Sequence, residues 1–229
     1  MKGLPGFRDF YPEPAPTPDS WSLDLRRHIF DTWRGTADRY GFREYDGPPI
    51  EELELYTQKS GEEIVGQLYN FVDKGDRNVS LRPEMTPTLA RMAAAHTRNY
   101  KKPIKWFSIP QLFRYERQQK GRLREHFQLN ADILGEENLA ADAELIALLI
   151  DTLRDLNLTS DDFVIRLSSR RAWQEFFENG GGKEAEAYDF YQIVDKLERE
   201  DPTVSSEKLT KLGFSYDQVN DFIEGSQPT

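Results

Sequence analysis

Two arms of strand-like sequence enclose a polar loop between residues 103 and 134, and this stretch constrains the fold more than any other. Residues 103–116 (PIKWFSIPQLFRYE) read as a strand region, residues 117–124 (RQQKGRLR) are polar and contain Gly121, and residues 126–134 (HFQLNADIL) read as a returning strand. This order predicts two antiparallel strands joined by a loop. Alternate residues of a strand share a face, so Arg114 and Glu116 should point the same way.

Around this pair the chain mixes helices with short strands. A helix from Trp21 to Tyr40, with Asp19 and Ser20 as candidate N-caps, has apolar residues every four positions from Trp21 to Ala37, which predicts a buried stripe. Further helices are predicted at 51–66, 86–99, 136–156 and 171–179, and further strands at 42–50, 67–72, 79–81 and 163–167. This order predicts an α+β fold with a mainly antiparallel sheet flanked by helices, and argues against a doubly wound parallel sheet.

The composition changes near the triple glycine at 180–182. Beyond it, the sequence reads as short acidic helices, such as 185–200 and 205–212. We therefore predict a boundary near 175–182, with residues 1–178 as one domain and residues 179–229 as a small helical one.

Charge is unevenly distributed along the chain. The net charge of -10 argues against a simple nucleic-acid-binding module. Between Arg98 and His126, however, nine basic residues accompany only two acidic ones. This basic segment indicates a local polyanion site, for a nucleotide phosphate or an RNA end, and a solvated hairpin with no ligand explains the charge equally well.

Several classes of protein are excluded by what the sequence lacks. The absence of cysteine excludes disulfides and thiolate sites, and the presence of three histidines argues against a multi-histidine metal site. No run of 18 apolar residues is present, and the N-terminus lacks the apolar core of a secretory signal. Neither the dinucleotide fingerprint nor the P-loop is found. We expect a cytoplasmic protein that binds any nucleotide by another design.

A first candidate site lies in residues 81–88 (LRPEMTPT), where a predicted strand gives way to a helix. Glu84 and Thr86 could orient a substrate ammonium group, because an ionised acceptor makes the stronger hydrogen bond. The alternative is helix capping, with Thr86 as the N-cap and Glu84 near the positive helix end.

Two further candidates lie on the predicted strand pair. Arg114 suits a phosphate because its planar guanidinium donates two parallel hydrogen bonds, and Glu116 could accept from an adenine amino group. The alternative is a surface ion pair worth under ~1 kcal/mol. On the returning strand Gln128 and Asp132 share a face with Asn130 between them, which suits a polar cleft or, alternatively, a solvated outer face.

These residues together resemble a known family. Gly6-Phe7-Arg8-Asp9, residues 81–86 and residues 113–135 (FRYERQQKGRLREHFQLNADILG) are similar to the N-terminal segment, the amino-acid-binding segment and class II motif 2 of histidyl-tRNA synthetases. The helix from Trp21, followed by Gly41-Phe42-Arg43-Glu44, resembles class II motif 1, which carries the dimer interface. Residues 188–198 resemble the start of the family's helical insertion.

The resemblance implies a role for each matching residue. Arg114 would be the catalytic residue and would bind the α-phosphate and the substrate carboxylate. The histidine ligands would be Glu84, Thr86, Arg114, Gln128 and Asp132, the last facing the imidazole. The ATP ligands would be Arg114, Glu116, Arg122, Arg124 and His126, which stands where the family usually has an aromatic ring on adenine.

The resemblance also implies partners and a place in a larger protein. It implies ATP with Mg²⁺ as substrate, no tightly bound cofactor, no protein-held metal, the acceptor end of tRNA as partner and a homodimer formed through motif 1. The family's second histidine-binding segment, its motif 3 and its anticodon-binding domain are not found. We therefore expect the N-terminal portion of a histidine–tRNA ligase catalytic domain, weak or inactive alone. Alternatives are a regulatory paralogue, such as a histidine-biosynthesis regulatory subunit, and a plain interaction domain.

Overall fold

The computed structural model describes residues 3–58, 65–115, 122–197 and 199–225. The chain divides into two compact units, Met1–Phe163 and Val164–Thr229. Within the described residues, every strand belongs to the first unit and the second unit consists of helices. Most strand pairs of the first unit are antiparallel, so the predicted α+β class is confirmed.

The described elements of the first unit are short strands with four intervening α-helices. The strands are β1 (Phe10–Tyr11), β2 (Trp21–Ser22), β3 (Arg43–Glu44), β4 (Ile50–Glu52), β5 (Tyr69–Val72), β6 (Asn78–Leu81), β7 (Ile104–Ser108), β8 (Gln111–Phe113), β9 (Glu125–Phe127) and β10 (Asn130–Leu134). The helices are α1 (Leu23–Arg39), α2 (Leu53–Thr57), α3 (Thr86–His96) and α4 (Leu139–Asp155).

Strands β7 to β10 form one antiparallel ribbon, with β7 and β8 as its outgoing arm and β9 and β10 as its returning arm. Ser108 pairs with Asn130, and Gln111 pairs with Phe127. The two pairs are three residues apart on both arms. The register is therefore kept across the gap between the two ladders. Pro110 lies in that gap, and a proline has no N–H to donate to a ladder. The predicted strand pair is confirmed, with this interruption.

One face of the ribbon packs against helices α1 and α4. Phe107 is buried there with Ala37 of α1 and Leu148 of α4. The ribbon residues in this cluster all have odd numbers, as alternation along a strand requires: Phe107, Ile109, Leu129, Ala131 and Ile133. The even-numbered side chains of the ribbon therefore point away from the helices.

Helix α1 begins later than the sequence suggests. Its N-cap is Ser22, whose hydroxyl accepts from the Leu25 N–H at 3.1 Å, and not Asp19 or Ser20. The predicted buried stripe is correct at Ala37 and wrong at the start of the helix, where Trp21 is 51% and Leu25 60% exposed. Ala37 near the end of α1 is buried in the ribbon cluster, while Arg26 and Phe30 nearer its start contact the Phe127 ring of β9.

The second predicted hairpin is also confirmed. Strands β5 and β6 pair antiparallel, and β4 joins the other side of β6. The predicted helix at 51–66 is wrong in its first part, because Glu51 and Glu52 belong to β4 and the described helix is α2. Residues 59–64 lie outside the described residues.

The second unit contains four described α-helices around a core of aromatic side chains. Its core includes Trp173, Phe177, Phe190, Leu209 and Phe214. The helices are α5 (Arg170–Asn179), α6 (Ala187–Val194), α7 (Pro202–Lys211) and α8 (Tyr216–Gly225). The predicted strand at 163–167 is wrong, since the structure assigns no strand to these described residues, and Val164 and Leu167 are exposed.

The glycine run at 180–182 is a packing site of this core. A Cβ on Gly180 would lie 2.3 Å from Cε1 of Phe214, and a Cβ on Gly182 would lie 2.4 Å from Cε2 of Phe177. Small residues are needed there because two rings approach the backbone closely. The sequence places the domain boundary at 178/179, whereas the two compact units divide at Phe163/Val164, before α5. That the second unit is the family's helical insertion stays a prediction.

Candidate functional site

The segment that follows β6 is fastened to the outgoing arm of the ribbon. The Phe113 N–H donates to the Arg82 carbonyl at 3.0 Å, and the Arg114 Nε donates to the Pro83 carbonyl at 3.1 Å. The side chain of Arg114 therefore lies within one residue of Glu84. Two of the three candidate segments are thus brought together.

The buried side chain of Arg82 holds the segment after β6 against the outgoing arm, a role that the sequence analysis missed. Its guanidinium is buried and donates to the carbonyls of Gln111 at 3.0 Å and Gly47 at 2.7 Å, and to the Asp46 carboxylate at 2.9 Å. Three chain segments meet at one side chain. An arginine directly after the apolar end of a strand was the available signal.

The capping alternative for Thr86 is wrong. The N-cap of α3 is Met85, and no side-chain bond caps this helix. Thr86 is the first helical residue and is exposed, while Glu84 is half-buried and makes a contact within the chain. Capping therefore does not account for the hydroxyl of Thr86, and its use in binding a substrate stays a prediction.

The ribbon register assigns the remaining candidates to one side. The Arg114 N–H donates to the Arg124 carbonyl at 3.0 Å, which continues the same register beyond Phe113. Arg114, Arg124, Gln128 and Asp132 all have even numbers and so fall on the side opposite the helices. Gln128 lies in the gap opposite Pro110 and is exposed. The candidates share a side, but Gln128 is not on a strand as predicted.

Asp132 and Asn130 occupy a poorly solvated surface and not the solvated face offered as the alternative. Burial raises the pKa of the Asp132 carboxyl above its ordinary value. The Asn130 Oδ1 is buried and has no hydrogen-bond partner among the described residues. Buried acceptors without a partner are unusual, so Asn130 is a further candidate for contact with a polar group.

Tyr45 extends this surface, and the sequence analysis missed it. Strand β3 pairs with β7, and the Tyr45 N–H donates to the Phe107 carbonyl at 2.8 Å. The Tyr45 ring lies 5.6 Å from that of Trp106, which pairs with Asp132. Burial, and then the nearby Asp132, raise the pKa of the Tyr45 hydroxyl. A lone tyrosine after a two-residue strand gave no signal in the sequence.

The candidates at the loop are partly described. The Arg124 guanidinium lies 4.1 Å from the centroid of the Tyr115 ring, so its planar face is already used in a cation–π contact. Arg122 is exposed, His126 is half-buried, and each makes a contact within the chain. Glu116 and most of the predicted polar loop lie outside the described residues.

A hollow elsewhere in the first unit contains none of the predicted site residues. It has a volume of about 580 Å³ and is lined by residues that include Glu51, Glu52, Glu54 and Arg91. Its carboxylates suit a triphosphate poorly. Over the described ranges, no group of three or more His, Cys, Asp or Glu side chains could hold a metal ion, and no helix is long and apolar enough to cross a membrane.

Comparison with known proteins places this geometry in context. The family described as histidyl-tRNA synthetase matches residues 6–210. The histidine–tRNA ligase of Opitutus terrae is 50% identical over 199 residues, which cover 87% of this chain and 44% of that protein. The histidine–tRNA ligase of Haloarcula marismortui is 43% identical over 219 residues, covering 96% and 48%. The chain spans about half the length of the curated relatives it matches.

Solved structures share the fold. A Bacillus halodurans protein described as an ATP phosphoribosyltransferase regulatory subunit/histidyl-tRNA synthetase matches with a TM-score of 0.77 at 21% identity, covering 98% of this chain and 55% of that one. The histidyl-tRNA synthetase of a Nostoc species matches with a TM-score of 0.72 at 24% identity, covering 90% and 46%.

Proposed function

Because the chain belongs to the histidyl-tRNA synthetase family, we propose that it forms the N-terminal part of a histidine–tRNA ligase catalytic domain and supplies part of the site that activates histidine with ATP. The observation that supports this most is the bond between the Arg114 Nε and the Pro83 carbonyl. It joins the amino-acid-binding segment to the proposed phosphate-binding residue. Asp132 lies on the same side of the ribbon.

In the proposed reaction, a carboxylate oxygen of histidine attacks the α-phosphorus of ATP. The bond from that phosphorus to the bridging oxygen breaks, and pyrophosphate leaves. A ribose hydroxyl at the tRNA acceptor end then attacks the carbonyl carbon, and AMP leaves. Catalysis of this kind depends on positioning and on stabilising negative charge as it develops.

Arg114 would serve both needs. Its Nε is held by Pro83, so we assign the α-phosphate and the substrate carboxylate to its two terminal amino groups. A guanidinium fixed in advance needs little reorganisation during the reaction. Arg122, Arg124 and His126 would support the rest of the nucleotide, and Glu116 would read adenine.

The amino acid would bind between the segment after β6 and the returning arm. Glu84, Thr86 and Gln128 would hold the α-amino group, and Asp132 would accept a hydrogen bond from the imidazole. Because the Asp132 carboxyl is poorly solvated, a hydrogen bond to it is stronger there than in water. Mg²⁺ would arrive as part of the ATP substrate and neutralise charge on its phosphates.

The whole enzyme would act in the cytoplasm as a homodimer formed through the motif 1 region. The exposed apolar side chains at the start of α1, Trp21 and Leu25, support such an interface. Replacing Leu25 with Glu would lower the dimer fraction in analytical ultracentrifugation if this region pairs two copies.

Titration of the chain with histidine and with Mg²⁺-ATP tests the assignment. We expect both ligands to bind and to raise the melting temperature. Arg114→Gln should weaken ATP binding by roughly 10- to 100-fold, because it removes a charge-assisted bond worth about 1.5–3 kcal/mol. Arg27→Gln is the control, since Arg27 is exposed and pairs with Asp24 on α1.

Two results would count against the proposal. One is the absence of any shift with ATP, and the other is equal ATP binding by Arg114→Gln and Arg27→Gln. Binding of histidine without ATP would favour a regulatory paralogue, because an amino-acid sensor needs no ATP site. We also expect little histidine-dependent pyrophosphate exchange by this chain alone.

A further inference from the structure

The N-terminal segment Gly6–Arg8 lies against the returning arm of the ribbon. The Arg124 N–H donates to the Gly6 carbonyl at 2.9 Å, while the Arg124 carbonyl accepts from the Arg114 N–H. The backbone of Arg124 is therefore held from both sides, by the N-terminal segment and by the outgoing arm. This contact spans more than a hundred residues of sequence.

The contact depends on glycine at position 6. Gly6 has φ +89°, which side chains rarely allow, and a Cβ there would lie 2.7 Å from Cγ and 3.0 Å from Cβ of Arg124. The aliphatic part of Arg124 thus packs on the bare backbone of Gly6, and its guanidinium packs on the Tyr115 ring. The direction of this side chain is set between the two.

Arg8 anchors the segment in the interior. The Arg8 backbone N–H donates to Oε1 of Glu125 at 2.9 Å, and its guanidinium reaches the same carboxylate at 3.4 Å. Glu125 is 3% exposed, and its other oxygen accepts from the Gln111 side chain. The Arg8 guanidinium also lies 4.9 Å from the Trp21 ring centroid. A paired, buried charge of this kind resists displacement, because its loss leaves a partner unpaired.

We propose that the N-terminal segment Gly6–Arg8 is a positioning element of the nucleotide site, which holds Arg124 at the base of the hairpin so that its terminal amino groups meet the phosphates of ATP. This inference rests on the proposed function. The segment touches neither substrate itself and acts through Arg124. It gives the family's N-terminal segment a share in ATP affinity and none in the binding of histidine.

A double-mutant cycle separates positioning from plain structural support. The variants are Gly6→Ala, Arg124→Gln and the double variant, with Gly3→Ala as the control, because a Cβ on Gly3 would meet only Asp9 at an ordinary 3.8 Å. Binding of Mg²⁺-ATP and of histidine is measured separately for each variant by calorimetry or by NMR titration. Arg8→Gln, which keeps the backbone N–H, is the second variant in case Gly6→Ala does not fold.

We expect Gly6→Ala to weaken ATP binding roughly tenfold, the factor that corresponds to losing one well-placed hydrogen bond. Histidine affinity should stay within about twofold. Arg124→Gln should weaken ATP binding to a similar degree, and the double variant no further, because both changes remove the same contact. Arg8→Gln should act in the same direction, again without adding to Arg124→Gln.

The contrary results are distinct from one another. Additive losses in the cycle, equal weakening of ATP and histidine, or ATP binding by Gly6→Ala equal to that of Gly3→Ala would overturn this inference alone, leaving the proposed function intact. Failure of the unmodified chain to bind ATP would overturn the proposed function, and this inference with it.

Discussion

Arg82→Met should destabilise the first unit by about 3 kcal/mol. The substitution keeps an unbranched apolar stem but removes every donor that Arg82 offers to the carbonyls of Gln111 and Gly47. Leaving a fully buried acceptor unpaired costs about 1–3 kcal/mol, and because these two carbonyls are only partly buried, their combined cost falls in the lower part of about 2–6 kcal/mol. Part of this loss is offset because the variant avoids the desolvation cost of burying a guanidinium. The Asp46 carboxylate is mostly exposed and finds water instead.

Urea unfolding and hydrogen exchange together measure this loss. The Phe113 N–H donates to the Arg82 carbonyl, so its exchange should accelerate by roughly 100-fold, since each 1.4 kcal/mol corresponds to a factor of ten. Arg77→Met is the matched control, because Arg77 is exposed and pairs with Asp73 in the turn of the neighbouring hairpin. Its stability should match that of the unmodified chain. Equal stability of the two methionine variants would refute the role assigned to Arg82.

Three further expectations concern the site, the helix caps and the second unit. Because burial raises the pKa of the Asp132 carboxyl, ionisation of this group disfavours the folded state. Asp132→Asn should therefore raise the melting temperature at pH 7. In melts recorded across a pH series, this gain should vanish as the pH falls to about 4 and the carboxyl becomes protonated in both states. Ser22→Ala should cost about 1 kcal/mol in chemical denaturation and Thr86→Ala much less, because the Ser22 hydroxyl caps α1 whereas Thr86 caps no helix. Leu209→Ala should cost about 2–5 kcal/mol and Leu167→Ala little, because Leu209 is fully buried and Leu167 is 73% exposed; equal losses in the same assay would contradict this.

The ribbon could be predicted from sequence because its signal is local. Side chains that alternate with a period of two residues identify each arm as a strand. Because a short polar loop joins the two arms, they are expected to pair antiparallel. The same alternation groups Arg114 with Glu116 on one arm and Gln128 with Asp132 on the other. That Arg114 and Asp132 lie on one side follows from the register between the arms, which the structure supplies. Pro110 in the sequence indicates that the ladder is interrupted there. Whether the same register continues on both sides of the proline depends on pairing with the returning arm.

Features that depend on tertiary packing were harder to predict. The triple glycine reads as a break in sequence, yet in the structure it admits the rings of Phe177 and Phe214. The apolar spacing of α1 predicts a buried stripe, but it does not show which end of that stripe is shielded from solvent by the rest of the protein. Residues 163–167 have strand composition, and composition alone does not supply a partner strand.

At the candidate site, residue types were easier to identify than their supports. Glu84, Arg114 and Asp132 stand out in the sequence as charged residues in predicted strands or at the point where a strand gives way to a helix. The roles of Arg82 and Tyr45 were missed because the contacts that define them come from segments more than twenty residues away, even though the position of Arg82 at a strand end is visible in the sequence. Glu116 lies outside the described residues, so its role stays a prediction.

The way in which the hairpin is anchored has a consequence for how this protein can change. The pairing of Arg114 with Arg124 closes the base of the loop, and the register below it runs on through β7 and β10. A longer or shorter tip between these two arginines leaves every residue beneath it on its original side. One residue inserted into either arm, by contrast, would turn the polar side towards the helices. Evolution and engineering can therefore vary what the tip touches while leaving the proposed amino-acid pocket unaltered.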